Sequence, residues 1–196
     1  MLSFAAAIFF LLITPGPGVL TTAGVGSGFG WRAGLRFLTG LFLGTNLTAV
    51  LVVSGLAAIV LTAPWLRTVL VWTSVAYFVY LAGKIAFAGA KVGFIEAERA
   101  PGIVNGVLLQ LINPKAYAVN NIIFSGYAFW PESLTVEIAL KFAIVNAIWI
   151  PVHLAWLYAG VTLRRLDLAP GTQRAINIAM ALALIAVVLL AVLSQI

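Results

Sequence analysis

Cysteine is absent from this chain, and charged side chains are scarce. Only 8% of the 196 residues are charged, whereas a soluble domain has about 25%. Without cysteine there are no disulfides, thiolate metal sites or cysteine nucleophiles, and the single histidine, His153, cannot form a metal cluster alone. No metal and no cofactor are therefore predicted. Hydrophobic residues make up 63% of the chain and the mean hydropathy is +1.14, which predicts a protein that folds in a lipid bilayer.

The apolar residues form six runs of about the 20 residues that a spanning helix needs. The runs lie near residues 2–24, 37–61, 66–88, 103–124, 138–162 and 175–194. They are continuously apolar, which favours helices, and the connections between them are short. The chain is therefore predicted to be a single all-α transmembrane domain over residues 1–196 with six transmembrane helices. A signal peptide over residues 1–20 is the alternative, but it lacks a basic start and has Pro-Gly-Pro where a cleavage motif should be.

The basic residues, 11 against 5 acidic ones, stand singly between the apolar runs. Because they form no patch, nucleic-acid binding is not predicted. Eight lie in the first, third and fifth connections and two in the second and fourth: Arg32, Arg36, Lys84, Lys91, Arg99, Arg164, Arg165 and Arg174 against Arg67 and Lys141. The eleventh, Lys115, lies within the fourth apolar run. Positively charged connections stay in the cytoplasm, so we predict a cytoplasmic (inner) membrane protein with both termini outside.

Proline interrupts the first and the fourth apolar runs, in "LLITPGPGVLTT" (11–22) and "LLQLINPKAYAV" (108–119). Thr14-Pro15 and Asn113-Pro114 each have the pattern of a helix start, with a capping side chain followed by proline at the first helical position. Each run is therefore predicted to be two half-helices that meet near the bilayer midplane. Proline kinks made only for packing are the alternative.

The two interrupted runs also predict an internal repeat. "LITPGP" (12–17) aligns with "LINPKA" (111–116), and Asn46 then falls within one position of Asn146. Three helices per repeat place the second repeat in the membrane upside down, as in many secondary transporters. The predicted repeats are residues 1–90 and 103–196, inverted relative to each other.

The interrupted runs are predicted to form a binding site for an anionic group. Helix starts carry partial positive charge, and Gly16 and Gly18 allow close approach to the backbone. Lys115 adds a full charge at the same depth, where an ionisable residue costs about 2.5–3.5 kcal/mol and is a functional hypothesis by default. The alternative for Lys115 is contact with carbonyls freed by the kink. His153 is interpreted as a packing residue or a proton carrier.

Three segments resemble the LysE/RhtB family of amino-acid exporters. They are "ITPGPGVLTTAGVGSGFGWRAGLRFLTGLFLG" (13–44), "AYFVYLAGKIAF" (76–87) and "GVLLQLINPKA" (106–116). The resemblance implies an exporter of amino acids or related metabolites in the cytoplasmic membrane, driven by the proton motive force or an ion gradient. Many members carry an acidic residue where this chain has Thr45-Asn46, and an apolar run where it has Asn120-Asn121.

The acidic residues all fall in predicted connections or at helix ends: Glu96, Glu98, Glu132, Glu137 and Asp167. No buried carboxylate is therefore expected to pair with a cationic substrate, which favours a neutral amino acid. The predicted substrate-binding residues are Thr14, Pro15, Gly16, Pro17, Gly18, Asn46, Asn113, Pro114, Lys115, Asn120, Asn121 and Asn146, with His153 and Lys115 as candidates for proton coupling.

The function predicted from these features is secondary active export, with alternating access around a midplane site. Gly40 and Gly44 are predicted to form a face for close helix packing, and glycine-rich faces of this kind would permit a homodimer. A metal-ion exporter would need a cluster of ligands, and an enzyme would need a nucleophile beside a base or a metal; the sequence has neither pattern. A membrane assembly subunit that transports nothing is the remaining alternative.

Overall fold

A computed structural model of the chain describes residues 1–14, 16–55, 64–87, 100–126, 128–166 and 168–193. Within these residues the regular structure is helical throughout. The helices are α1 (Leu2–Ile13), α2 (Pro17–Phe29), α3 (Trp31–Val53), α4 (Pro64–Ala86), α5 (Ile103–Ile112), α6 (Pro114–Gly126), α7 (Leu134–Arg165) and α8 (Pro170–Leu193). The predicted all-α class is confirmed for the described part of the chain.

Two of these helices, α3 and α7, are long and apolar enough to cross a bilayer on their own. The pair α1 and α2, bent by 51° at the break between them, would be a third span. Helices this apolar confirm an integral membrane protein. The other three predicted spans overlap α4, the pair α5 and α6, and α8, and stay predictions as membrane crossings.

The third helix begins six residues earlier than predicted, at Trp31. The reason is Gly30, which alone separates α2 from α3 and has a φ of 82°, a conformation that favours glycine because it has no Cβ. Arg164 of α7 donates to the carbonyl of Gly28 at 2.9 Å. The corner between α2 and α3 is therefore tied to the far end of α7.

Glycines set the distance between α3 and α5. A Cβ on Gly40 would overlap the backbone of Ile103, and one on Gly106 would overlap the backbone of Phe37. At Gly44 a Cβ would lie 2.8 Å from the Cβ of Gln110. The prediction that Gly40 and Gly44 form a close-packing face is thus confirmed. Because α5 of the same chain covers this face, it does not offer a dimer interface.

The second helix lies at the centre of the protein. Every residue from Thr21 to Ser27 is buried, and α2 packs on α7 with a Cβ on Gly160 overlapping the backbone of Ala23. The largest apolar cluster surrounds this contact and is built from residues such as Val25, Phe37, Leu41, Leu81, Ile85, Leu109 and Leu157. At one end of α2, Ser27 donates to Asn177 of α8 at 3.0 Å.

A second apolar cluster joins α1, α6 and α7. Its buried members are Phe4, Ile8, Ile123 and Val145, and the ring of Phe4 lies 5.2 Å from that of Phe129 in the connection before α7. We call this the α1–α6–α7 cluster. It closes the bundle at the end where α1 begins and α6 ends.

A buried ion pair covers the α1–α6–α7 cluster. Glu137 and Lys141 of α7 lie 2.9 Å apart, with side chains 8% and 2% exposed. Glu137 also accepts from the backbone N–H groups of Phe129 at 3.0 Å and Trp130 at 2.8 Å, and Lys141 donates to the carbonyl of Phe124 at 3.1 Å. The expectation that the chain has no buried carboxylate is therefore wrong, because α7 begins earlier than predicted and turns Glu137 inward.

Gly40→Ala is predicted to destabilise the protein by about 1–3 kcal/mol, the usual cost of overpacking. The added Cβ meets the Ile103 backbone, which cannot rotate away as a side chain would. Thermal unfolding of the purified protein in detergent measures the effect. Gly83→Ala is the matched control, because a Cβ there has nothing within 4 Å. Equal unfolding temperatures for the two variants would contradict the close contact.

Lys141→Met is predicted to lower the unfolding temperature more than the double variant Glu137→Gln/Lys141→Met. The single change leaves the carboxylate of Glu137 buried without its cation, whereas the double change removes both charges. The same detergent unfolding assay compares them. A single variant as stable as the double one would show that Glu137 is solvated and not dependent on Lys141.

Candidate functional site

Both predicted helix breaks are present. The first helix ends at Ile13, Thr14 and Gly16 are extended, and α2 begins at Pro17; Pro15 lies outside the described residues. The fifth helix ends at Ile112, Asn113 is extended with φ −78° and ψ 107°, and α6 begins at Pro114.

Asn113 caps α6 as predicted. Its side-chain Oδ1 accepts from the backbone N–H of Lys115 at 3.1 Å, and its carbonyl accepts from the N–H of Ala116 at 3.0 Å. Its amide Nδ2 donates to Oε1 of Gln110 at 3.2 Å. The start of α6 therefore has acceptors within the protein.

Thr14 does not cap α2, and this prediction is wrong. Its hydroxyl donates to the carbonyl of Phe10 at 2.6 Å, within the last turn of α1. The first helical position belongs to Pro17 and the N-cap is Gly16, which has no side chain to accept a hydrogen bond. Thr14 thus lies three residues before the helix, too far back to reach its first turn.

Among the described residues, no side chain accepts a hydrogen bond from the start of α2. A helix provides no acceptor for the N–H groups of its first turn, here those of Gly18 and Val19, since proline has none. The next N–H group, of Leu20, already donates to Gly16 at 3.0 Å. These two donors and the partial positive charge of the helix start suit an anionic group.

A cavity of about 80 Å³ lies where the two breaks meet. Both breaks line it, together with parts of α3 and α7: Leu11, Leu12, Thr14, Gly16, Pro17, Gly18, Val19, Thr45, Gln110, Asn113, Lys115, Ala116, Val119, Asn120, Ile123, Val145, Trp149 and His153. Eight of the residues predicted from the sequence are among them, namely Thr14, Gly16, Pro17, Gly18, Asn113, Lys115, Asn120 and His153.

Lys115 reaches across the cavity to the other break. A Cβ placed on Gly16 would lie 2.8 Å from its Nζ, so the ammonium group of α6 lies against the start of α2. Among the described residues, none accepts a hydrogen bond from this ammonium group. The contact with freed carbonyls, considered as the alternative for Lys115, is not found in that part of the chain.

Family membership follows from the sequence comparison. The chain matches the family model described as LysE type translocator over residues 9–195. The chain belongs to this family. Translocators of this family are membrane transporters and not enzymes, which agrees with the apolar helices and confirms the resemblance stated above.

Curated relatives of this LysE type translocator include leucine efflux proteins. That of Enterobacter sp. (strain 638) is 28% identical over 120 residues, covering 58% of this chain and 56% of the relative. That of Klebsiella pneumoniae is 26% identical over 152 residues, covering 70% and 72%. The match thus spans little more than half the length of the first of these relatives. No solved structure matches the chain significantly.

A polar network supports the site of the translocator from α3 and α5. Nε2 of Gln110 donates to the hydroxyl of Thr45 at 2.6 Å, which itself donates to the carbonyl of Leu41 at 2.8 Å. Asn120 of α6 donates to Thr48 of α3 at 3.1 Å. Sequence reasoning missed Gln110 and Thr45, although Gln110 lies three residues before Asn113 and so shares its helix face.

His153 and Trp149 form one wall of the cavity. Their rings are stacked, with centroids 3.7 Å apart and planes 15° apart, and Nδ1 of His153 lies 2.9 Å from the carbonyl of Trp149. This ordered position fits the packing interpretation of His153, and its place on the cavity wall keeps the proton-carrier interpretation open as a prediction.

Three of the predicted site residues do not line the cavity. Asn46 of α3 and Asn146 of α7 bond each other reciprocally, at 3.1 and 2.8 Å, and so join their helices. Asn121 is exposed on α6. Pro114 begins α6.

The remaining cavity wall of the translocator is apolar. Leu11 and Leu12 of α1, Val119 and Ile123 of α6 and Val145 of α7 form it, and it continues into the α1–α6–α7 cluster. The cavity therefore has a charged and polar end at the breaks and an aliphatic end towards that cluster. Among the described residues, no group of three His, Cys, Asp or Glu side chains could hold a metal ion.

Proposed function

We propose that this chain exports a neutral, aliphatic amino acid across the cytoplasmic membrane, by alternating access around the cavity between the two helix breaks. The observation that carries the proposal is the start of α2, which no described side chain caps and which faces the ammonium group of Lys115. The relatives named leucine efflux protein support the choice of substrate.

The substrate carboxylate would act as the missing cap of α2. It would accept from the N–H groups of Gly18 and Val19 and pair with Lys115. Asn113 already satisfies the first turn of α6, so the two breaks differ in a way that selects one position for the anion. This difference supports a single carboxylate per cavity.

The side chain of the substrate would contact the aliphatic wall. Leu11, Val119, Ile123 and Val145 offer apolar surface there, and no lining residue is acidic. A cationic side chain would thus meet no counter-ion, and it would add a second positive charge beside Lys115. A branched aliphatic side chain instead gains the usual free energy of apolar burial.

The size of the cavity supports a conformational cycle. Sites for small molecules usually measure about 300–1,000 Å³, whereas this cavity holds about 80 Å³. An amino acid therefore requires the walls to move apart. Alternating access provides such a movement, with one side opening while the other stays closed.

The proposed cycle uses two inverted repeats, residues 1–90 and 103–196, with three of the six spans in each. Residues on a two-fold axis contact their own counterparts. Asn46 and Asn146, which align to within one position in the two repeats, bond each other reciprocally, and α4 packs on α8, the third span of each repeat. The basic connections support the proposal that both termini lie outside the inner membrane. Lys115 and His153 stay the candidates for proton coupling, and a homodimer stays a prediction.

Proteoliposomes loaded with labelled amino acids are predicted to release leucine, isoleucine and valine in preference to lysine, arginine and glutamate. Lys115→Met is expected to raise the half-saturating leucine concentration about 10- to 100-fold, because a hydrogen bond to a charged group contributes about 1.5–3 kcal/mol. Lys84→Met, which changes a lysine outside the cavity lining, is the control. An inserted, folded protein that releases none of these amino acids would refute the proposal.

Gly16→Ala is predicted to weaken leucine transport through Lys115 alone. Gly16 has φ −149° and ψ 176°, which alanine adopts readily, but its Cβ would lie 2.8 Å from Nζ of Lys115 and displace it. In the Lys115→Met background the same change should therefore have little further effect. Half-saturating concentrations of the four proteins complete the cycle. Additive effects of the two changes would contradict the contact between Gly16 and Lys115.

A further inference from the structure

The hydrogen bond of His153 determines which ring nitrogen carries the hydrogen. A backbone carbonyl only accepts, so Nδ1, 2.9 Å from the carbonyl of Trp149, is the nitrogen that donates. In the neutral ring, Nε2 is then an acceptor with a free lone pair. Stacking on Trp149 fixes the plane of the ring and thus the direction of that lone pair.

Nε2 of His153 lies beside the start of α2. A Cβ placed on Gly18 would be 3.7 Å from Nε2, and Gly18 also provides one of the two uncapped N–H groups. The side chain is buried, with 4% of the residue exposed. Among the described residues, none donates a hydrogen bond to Nε2. A buried acceptor therefore lies next to the donors assigned to the substrate carboxylate.

We propose that Nε2 of His153 accepts a hydrogen bond from the ammonium group of the substrate. This inference rests on the proposed function and adds the second half of the recognition of an α-amino acid. The carboxylate and the ammonium group of the substrate are attached to the same carbon. In the protein, Gly18 provides one of the donor N–H groups and also lies beside the acceptor Nε2. Trp149 is the positioning residue, since it orients the imidazole without touching the ammonium group.

A neutral acceptor suits the charges of this cavity. The titratable side chains among its lining residues are Lys115 from α6 and His153 from α7; α1, α2, α3 and α5 contribute none. Lys115 balances the substrate carboxylate, so the ammonium group needs an acceptor that carries no charge. A carboxylate in its place would be left buried and unpaired after each release, which is costly. The imidazole avoids that cost.

The same geometry provides selection for amino acids over related acids. A 2-hydroxy acid with the same carbon skeleton keeps the carboxylate and the aliphatic side chain but lacks the ammonium group. It would lose the charge-assisted hydrogen bond to Nε2, which is stronger than one between neutral groups. The cavity should therefore discriminate between leucine and 2-hydroxy-4-methylpentanoate by about tenfold or more.

The test measures how each of these two compounds inhibits the exchange of labelled leucine in proteoliposomes. The wild-type protein is expected to prefer leucine, and His153→Phe, which keeps a ring for Trp149 but no acceptor, is expected to lose most of that preference. His153→Gln provides a side-chain oxygen as acceptor and should restore part of it. If His153 had only a structural role, its replacement would weaken inhibition by both compounds equally and leave the ratio of their inhibition constants unchanged.

The outcomes separate the two proposals. Wild-type exchange of leucine with equal inhibition by both compounds would overturn the role of His153 and leave the exporter intact, even if the variants fail to fold. A ratio that His153→Phe leaves unchanged would do the same. Wild-type protein that is folded and inserted but exchanges no amino acid would overturn the proposed function and this inference with it.

Discussion

The backbone of a membrane protein must find hydrogen-bond partners without water, and this requirement governs the whole site. A continuous helix satisfies it automatically. Two helices of this chain are interrupted, and the N–H groups in the first turn of each new helix then need acceptors from elsewhere. The side chain of Asn113 accepts a hydrogen bond from the first turn of α6, whereas Gly16 has no side chain that could do so for α2. The cavity is a candidate for binding an anion because the start of α2 has no side-chain cap whereas the start of α6 has one, and because Lys115 lies against Gly16.

Lys141, which is buried, and Lys115, which is half-buried, show how the surroundings decide the role of a charge. Lys141 has a carboxylate, a carbonyl and an aromatic ring around its ammonium group, so its charge is balanced within the protein. Lys115 lies at the cavity without an acceptor among the described residues. The first therefore contributes to holding the connection before α7, and the second is available to a ligand.

The features predicted correctly depend on neighbours along the chain. Proline after Asn113 indicates a helix start locally, and the spacing of Gly40 and Gly44 indicates a packing face. The errors depend on partners distant in sequence or on a shift of a few residues. Thr14 was predicted as the N-cap of α2 and lies two residues before the observed N-cap, Gly16. Glu137 is buried because α7 begins four residues earlier than predicted, and the amides of Asn46 and Asn146 bond each other across two helices. No local pattern encodes such pairings.

The backbone contact between Gly160 and Ala23 limits how the protein can change shape. Where two helices touch through backbone atoms, there are no long side chains whose rotamers could absorb sliding. Because Arg164 also ties α7 to the end of α2, these two helices form one stiff unit that includes His153 and the uncapped helix start. If the cavity opens as proposed, we expect the opposite wall to move, where α1 and α6 meet through aliphatic and aromatic side chains. Under the proposed function, the groups that bind the charged end of the substrate would therefore stay fixed, and the aliphatic wall would move.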